Sequence, residues 1–195
     1  MAGLERGELR QALLAEVKKV CAGQGPEAVS ISKIGKSLGV SSGAPFRLFP
    51  SREHIFAALI ESEMERLDAT FERIWSCKTT DPVLRLTDIC QAYVDHARTE
   101  PAMFRLAFSV SAKAMGAVKL QKIGEDVYEK VQRAVAACVP RHTTTDQVEL
   151  KSYLLWSTIH GHVMLCMTGQ MDDQSIDLPD EIVVASAVQG ILKAG

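Results

Sequence analysis

Apolar residues return every three or four positions along nearly the whole chain, and no segment shows the period-two alternation of a half-buried strand. The pattern predicts an all-α fold of about nine helices. The first runs from Leu4 to Cys21, with Leu9, Leu13, Val17 and Val20 on one face, and stops at Gly23, Gly25 and Pro26. A short helix spans Ile31 to Leu38, and Gly39, Val40 and Ser41 form a tight turn. A second short helix is expected from Ser42 to about Leu48, ahead of Pro50. Ser51 caps a long helix reaching Trp75, with Glu53 in its first turn, where the helix dipole favours an acid.

Pro82 and Pro101 mark the first turns of helices over 82–99 and 101–110, where a missing N–H costs nothing. An irregular stretch from Ser111 to Ala117 leads to a helix from Val118 to Val139, which Pro140 ends. Another helix starts at Thr145 or Asp146 and reaches Thr168. A polar loop, Asp172 to Pro179, precedes a last helix carrying Ile182 to Lys193. Two short helices joined by a glycine-bearing three-residue turn form a helix-turn-helix pattern. The expected organisation is a DNA-binding head over residues 1–52 and a helical body over 53–195.

Charge sharpens this division. The whole chain carries a net charge of −2, but residues 1–54 carry +3 and the remainder −5. A small anion-binding head on an acidic body shows such asymmetry. The N-terminus, with Glu5, Arg6, Glu8 and Arg10, lacks the apolar core of a signal peptide, and no stretch suits a membrane helix. A cytoplasmic protein without membrane partners is expected. The five cysteines (Cys21, Cys77, Cys90, Cys138 and Cys166) are scattered and fit neither a disulfide framework nor a zinc finger, so reduced, mostly buried thiols are expected.

The run IGKSLGVSSGAPFRLFPSREHIFAALI, Ile34 to Ile60, resembles the N-terminal signature of TetR-family regulators at Ile34, Gly39, Val40, Ser41, Gly43, Phe46, Phe49, Ser51 and Glu53. Two further runs, AYVDHARTEPAMFRLAFS (Ala92 to Ser109) and WSTIHGHVML (Trp156 to Leu165), resemble the ligand domain named for its Trp-His-Gly residues. The resemblance implies a three-helix head, a linking fourth helix, and a helical ligand-binding and dimerisation body. It implies a repressor that binds a palindromic operator as a homodimer and leaves it when a small molecule binds. The alternative is a dimeric small-molecule sensor or interaction protein with weakened DNA binding.

In that geometry the segment from Ser42 enters the major groove, where base edges present distinct donor and acceptor patterns. Ser42, Gly43, Ala44 and Arg47 would read sequence, with Arg47 on a guanine edge or a phosphate. Ser30, as cap of the preceding helix, together with Lys33 and Lys36, would hold phosphates, as would the position of Phe46. Three residues depart from the family pattern: Gly35 replaces alanine, Phe46 replaces tyrosine and removes a hydroxyl, and Pro45 sits early in the recognition helix. Gly35 weakens its helix by about 1 kcal/mol but leaves room for close packing.

In the body, Tyr93, Met103, Phe104, Phe108, Tyr128, Trp156, His160 and Met164 are the candidate lining for a largely apolar effector. Ser157, Gly161 and Thr168, with Val184, Ala187, Val188 and Ile191, suggest a four-helix dimer interface. His160 and His162 point about 200° apart on a helix, so a shared metal is not expected, nor is any cofactor. Without a nucleophile elbow, phosphate loop or H-E-x-x-H motif, the chain does not read as an enzyme.

Overall fold

The computed structural model describes residues 5–78, 81–109, 117–169 and 178–193, and among these every regular element is helical. The eight α-helices are α1 (Arg6–Gln24), α2 (Ile31–Ser37), α3 (Arg52–Ser76), α4 (Pro82–Thr99), α5 (Pro101–Ser109), α6 (Val118–Cys138), α7 (Thr145–Met167) and α8 (Asp180–Lys193). Leu4, the end of the helix expected at 110, the linker residues 111–116 and loop residues 172–177 lie outside the described residues.

The element expected over Ser42 to Leu48 is different. Only Pro45–Arg47 is helical there, as a single 3-10 turn. Ala44 N–H bonds back to the Ser41 carbonyl at 3.0 Å, closing a tight turn that uses the carbonyl an α-helix would have offered to residue 45. Pro45 has no N–H to offer it, so the Ser41 carbonyl gains no α-helical partner.

The helices gather into two compact units. The first contains α1, α2, the Pro45–Arg47 turn, residues 52–65 of α3, α5 and residues 118–123 of α6. Leu9, Leu13, Val17 and Cys21 of α1 meet Ile31 and Ile34 of α2, Phe49, Ile55 and Leu59 around the start of α3, and Met103 and Leu106 of α5. Lys18 fastens this core at its polar edge, with Nζ 3.0 Å from Glu63 Oε1 and 2.6 Å from Glu100 Oε1.

The second unit contains residues 66–76 of α3, α4, residues 124–138 of α6, α7 and α8. Its interior includes Phe71, Leu86, Ile89, Val94, Val135, Leu155, Ile159, Val163, Val184 and Val188. Thr144 caps α7 by accepting the Gln147 N–H, while the Gln147 side chain accepts the Thr144 N–H. Near the same end of α7 Lys151 donates to the Ile191 carbonyl at 2.9 Å, satisfying one of the last carbonyls of α8.

Candidate nucleic-acid interface and helical-body site

The head is built on a close approach. Gly35, buried in α2, lies under the ring of Pro45, and a Cβ at position 35 would sit 2.6 Å from Pro45 Cγ. The two departures from the family pattern therefore accommodate each other. Gly39, with φ +73°, turns the chain after α2 in a conformation that side chains rarely adopt, and Val40 N–H bonds the Gly35 carbonyl at 3.1 Å.

That framework leaves Lys33 and Lys36 exposed three residues apart on α2, and Ser42, Gly43, Phe46 and Arg47 exposed on the next segment. No ion pair is formed by Lys33, Lys36 or Arg47 among the described residues. Ala44 departs from expectation. It is buried in the core with Ile34 and Phe49, so its methyl anchors the segment instead of facing outward. Ser30 stands at the N-cap of α2, half-buried, but its hydroxyl makes no capping bond. Phe49 is held from outside by Arg10, whose guanidinium lies 5.3 Å from the ring centre.

The expected ligand lining divides between the units. Met103 and Phe104 are buried in the first unit, where the Phe104 ring meets that of the exposed Phe108 at a tilt, with centres 4.9 Å apart. In the second unit Tyr93, Tyr128, Trp156 and His160 come together, with Trp156 centred 5.8 Å from Tyr128 and 6.0 Å from His160. Trp156 Nε1–H donates to the Tyr93 hydroxyl at 3.3 Å. The same hydroxyl lies 2.9 Å from His160 Nδ1, within hydrogen-bond distance. Burial pushes the His160 pKa down and the Tyr93 pKa up, consistent with this chain of neutral donors. Met164 lies half-buried one turn beyond His160.

An open depression of about 460 Å³ adjoins this cluster, lined by Tyr128, Asp146, Glu149, Leu150, Tyr153 and Trp156. Its two carboxylates, absent from the sequence reading, make one wall acidic.

The surface of α7 and α8 corrects the expected dimer residues. Val184 and Val188 are fully buried within the chain and have nothing left to offer a partner. Ala187 and Ile191 are half-buried, as is Gly161, whereas Ser157 and Thr168 are exposed. Leu150, Tyr153, Leu154 and Leu165 are exposed on α7, and Ile182 on α8. The sequence pattern marked α8 as amphipathic but could not say which apolar residues its own chain covers.

His160 and His162 do turn to different partners. His162 is buried, and its Nε2 lies 2.7 Å from Asp180 Oδ1. Arg98 grips the same carboxylate with Nε at 3.0 Å from Oδ2 and Nη2 at 2.7 Å from Oδ1. This guanidinium, more than His162, holds the Asp180 pKa below the usual carboxylate range. Cys166 Sγ lies 3.9 Å from His162 Nδ1, and the donor atoms of His162, Cys166 and Asp180 all fall within 4.8 Å of one another. The sequence carried one signal for this group: His162 and Cys166 are one helical turn apart.

Residues 13–59 match the family model for bacterial regulatory proteins of the tetR family, and residues 86–187 match that for the Tetracyclin repressor-like C-terminal domain. The nucleoid occlusion factor SlmA of Mannheimia succiniciproducens is 38% identical over 85 residues, covering 43% of this chain and 38% of that protein. Its counterpart from Vibrio cholerae is 28% identical over 107 residues, 54% of each. The chain thus spans about half or less of the length of these curated relatives. Among solved structures, the TetR family transcriptional regulator PfmR of Thermus thermophilus superimposes with a TM-score of 0.65 at 19% identity, covering 92% of this chain and 96% of that one. The fatty acid degradation regulator FadR of Bacillus halodurans gives 0.71 at 16% identity, covering 98% of both chains. At such identities the likeness is one of fold.

Proposed function

Since this chain belongs to the TetR family of bacterial transcriptional regulators, we propose that it represses transcription by binding a palindromic operator as a homodimer, and that a small molecule releases it. One observation carries the reading: Lys33, Lys36 and Arg47 stand exposed without an internal anion, on a head whose two contact segments are locked together at Gly35 and Pro45. Cations left unpaired by their own chain suit an external polyanion. Ser42, Gly43 and Arg47 would face base edges, and Ser30, Lys33, Lys36 and Phe46 would lie along the phosphates.

The operator-reading head corresponds to residues 1–52 and the ligand and dimer body to 53–195. The neutral Trp156, Tyr93 and His160 chain, with Tyr128 beside it, is the effector site best supported, and Trp156, His160 and Gly161 favour the Trp-His-Gly subtype. A largely apolar effector with one polar group would meet rings and a hydroxyl there. Leu150, Leu154, Ser157, Gly161, Leu165 and Ile182 offer the stripe on which two copies would form a four-helix interface. Two heads so joined must reach successive major grooves about 34–36 Å apart. An effector that prefers another spacing lowers operator affinity, and the operator lowers effector affinity by the same factor. A cytoplasmic location follows from this role.

Selection of bound fragments from random duplex DNA with the full chain tests the reading. Recovery of a palindrome is expected, and recovery of no enriched sequence would contradict it. A second reading, a dimeric sensor with weakened DNA binding, draws on the single 3-10 turn and on Phe46, which lacks a phosphate-binding hydroxyl. It predicts effector binding that leaves duplex affinity unchanged.

A further inference from the structure

We propose that Cys166 is a modification site, a thiol that adds to small electron-poor alkenes conjugated to a carbonyl, with His162 accepting its proton. The group is assembled from three helices of one unit: Arg98 from α4, His162 and Cys166 from α7, and Asp180 from the start of α8. Asp180 Oδ1 lies 2.7 Å from His162 Nε2. Arg98 holds that carboxylate ionised, so Asp180 accepts the Nε2–H and fixes the tautomer. The Nδ1 lone pair is then directed at Cys166 Sγ, 3.9 Å away. Arg98 also interacts electrostatically with Cys166, placing a fixed positive charge near a developing thiolate. Thiol, imidazole and carboxylate thus stand in the order of a nucleophile, its base and the group that orients the base. Cys166 is half-buried, leaving part of the residue open to a small reagent.

The reaction balances within the site. The thiol proton passes to His162 Nδ1, the S–C bond forms at the β-carbon, and the alkene π pair moves through the α-carbon to the carbonyl oxygen as an enolate. His162 returns the proton to the α-carbon. No oxidant or second thiol is consumed. The same donors would suit a divalent cation, but Arg98 already engages both Asp180 oxygens.

The test is labelling of the reduced full-length chain with limiting N-ethylmaleimide, followed by peptide mass mapping between pH 6 and pH 8. Cys77, which is exposed, serves as the internal standard. Cys166 is expected to label at least tenfold faster than Cys77 at pH 6, with the ratio shrinking as pH rises. His162→Gln should slow Cys166 about tenfold and leave Cys77 unchanged, and Asp180→Asn should slow it less. If these variants do not fold, the pH dependence of the wild-type ratio decides alone. Labelling of Cys166 slower than Cys77 at every pH, a ratio constant with pH, or one zinc ion bound per chain and abolished by substitution of any of His162, Cys166 or Asp180 would overturn the proposal.

Discussion

Three cations of the helix-turn-helix segment and several of the helical body are treated in opposite ways. Lys33, Lys36 and Arg47 stand exposed and enter no ion pair among the described residues. In the second unit Arg98 closes on Asp180 with two bonds, Lys130 bridges Asp68 and Glu72, and Arg85 and Arg133 lie over the Trp75 ring at 5.0 and 4.2 Å. Internal pairing stitches helices; Lys33, Lys36 and Arg47 take no part in such stitching. A cation's partner, more than its presence, separates a binding surface from a scaffold.

The largest effect expected from breaking this contrast is on operator affinity. Lys33→Ala with Lys36→Ala should weaken binding at least tenfold across all sequences and lower the salt slope by about 1 for each phosphate no longer neutralised. Stability should move by no more than about 0.5 kcal/mol, as surface changes do. Arg47→Ala should cost about 1–3 kcal/mol and blur one operator position if it grips a guanine, or weaken all sequences alike if it grips a phosphate. Binding titrations against the selected duplex and its single-base variants separate these outcomes.

The next effect is a reversal of sign within the head. Gly35→Ala should gain about 1 kcal/mol in helix propensity but lose about 1–3 kcal/mol to the clash with Pro45. The net change in the native chain is destabilising. In a Pro45→Ala background the clash partner is gone, and the same substitution should stabilise by up to about 1 kcal/mol. Denaturant unfolding of the four proteins measures the coupling, and equal effects of Gly35→Ala in both backgrounds would mean the ring packing has no energetic weight.

In the body, Asp180→Asn should cost about 1 kcal/mol, because one partner, Arg98, is substantially exposed to solvent. The Asp180 pKa is lowered in the folded chain, so its contribution is present above the ordinary carboxylate range and is lost as pH falls through the folded value. The variant should therefore lose stability relative to the native chain at pH 7 and converge with it in acid.

The smallest effect concerns His160. Its folded pKa lies below the ordinary 6.5, so the unfolded chain binds the proton first and stability declines as pH drops below that value. His160→Gln should remove this portion of the decline, read as the difference between unfolding curves at pH 5 and pH 7.

Much of the architecture was legible because its signals are local. Gly39 marked a turn that needs positive φ, and Pro82, Pro101 and Pro140 marked helix ends. Pro45 was legible as an awkward residue, but its effect depends on a ring packed over Gly35, ten residues away. Ala44 and Val188 show the limit of periodicity. An amphipathic pattern identifies apolar positions without saying whether the covering surface belongs to the same chain. Trp156 and His160 were grouped correctly by their four-residue spacing, whereas Tyr93 reaches them from 67 residues away in sequence to His160. The Cys166 group stayed hidden for the same reason, since Arg98 and Asp180 are 82 residues apart.

Affinity for the selected palindrome as a function of salt tests the DNA-binding role most directly. A dimer neutralising six to ten phosphates should weaken by about 10³–10⁵ in affinity between 50 and 200 mM salt, with one dimer bound per palindrome. A flat salt dependence, or equal affinity for palindrome and scrambled duplex, would contradict it.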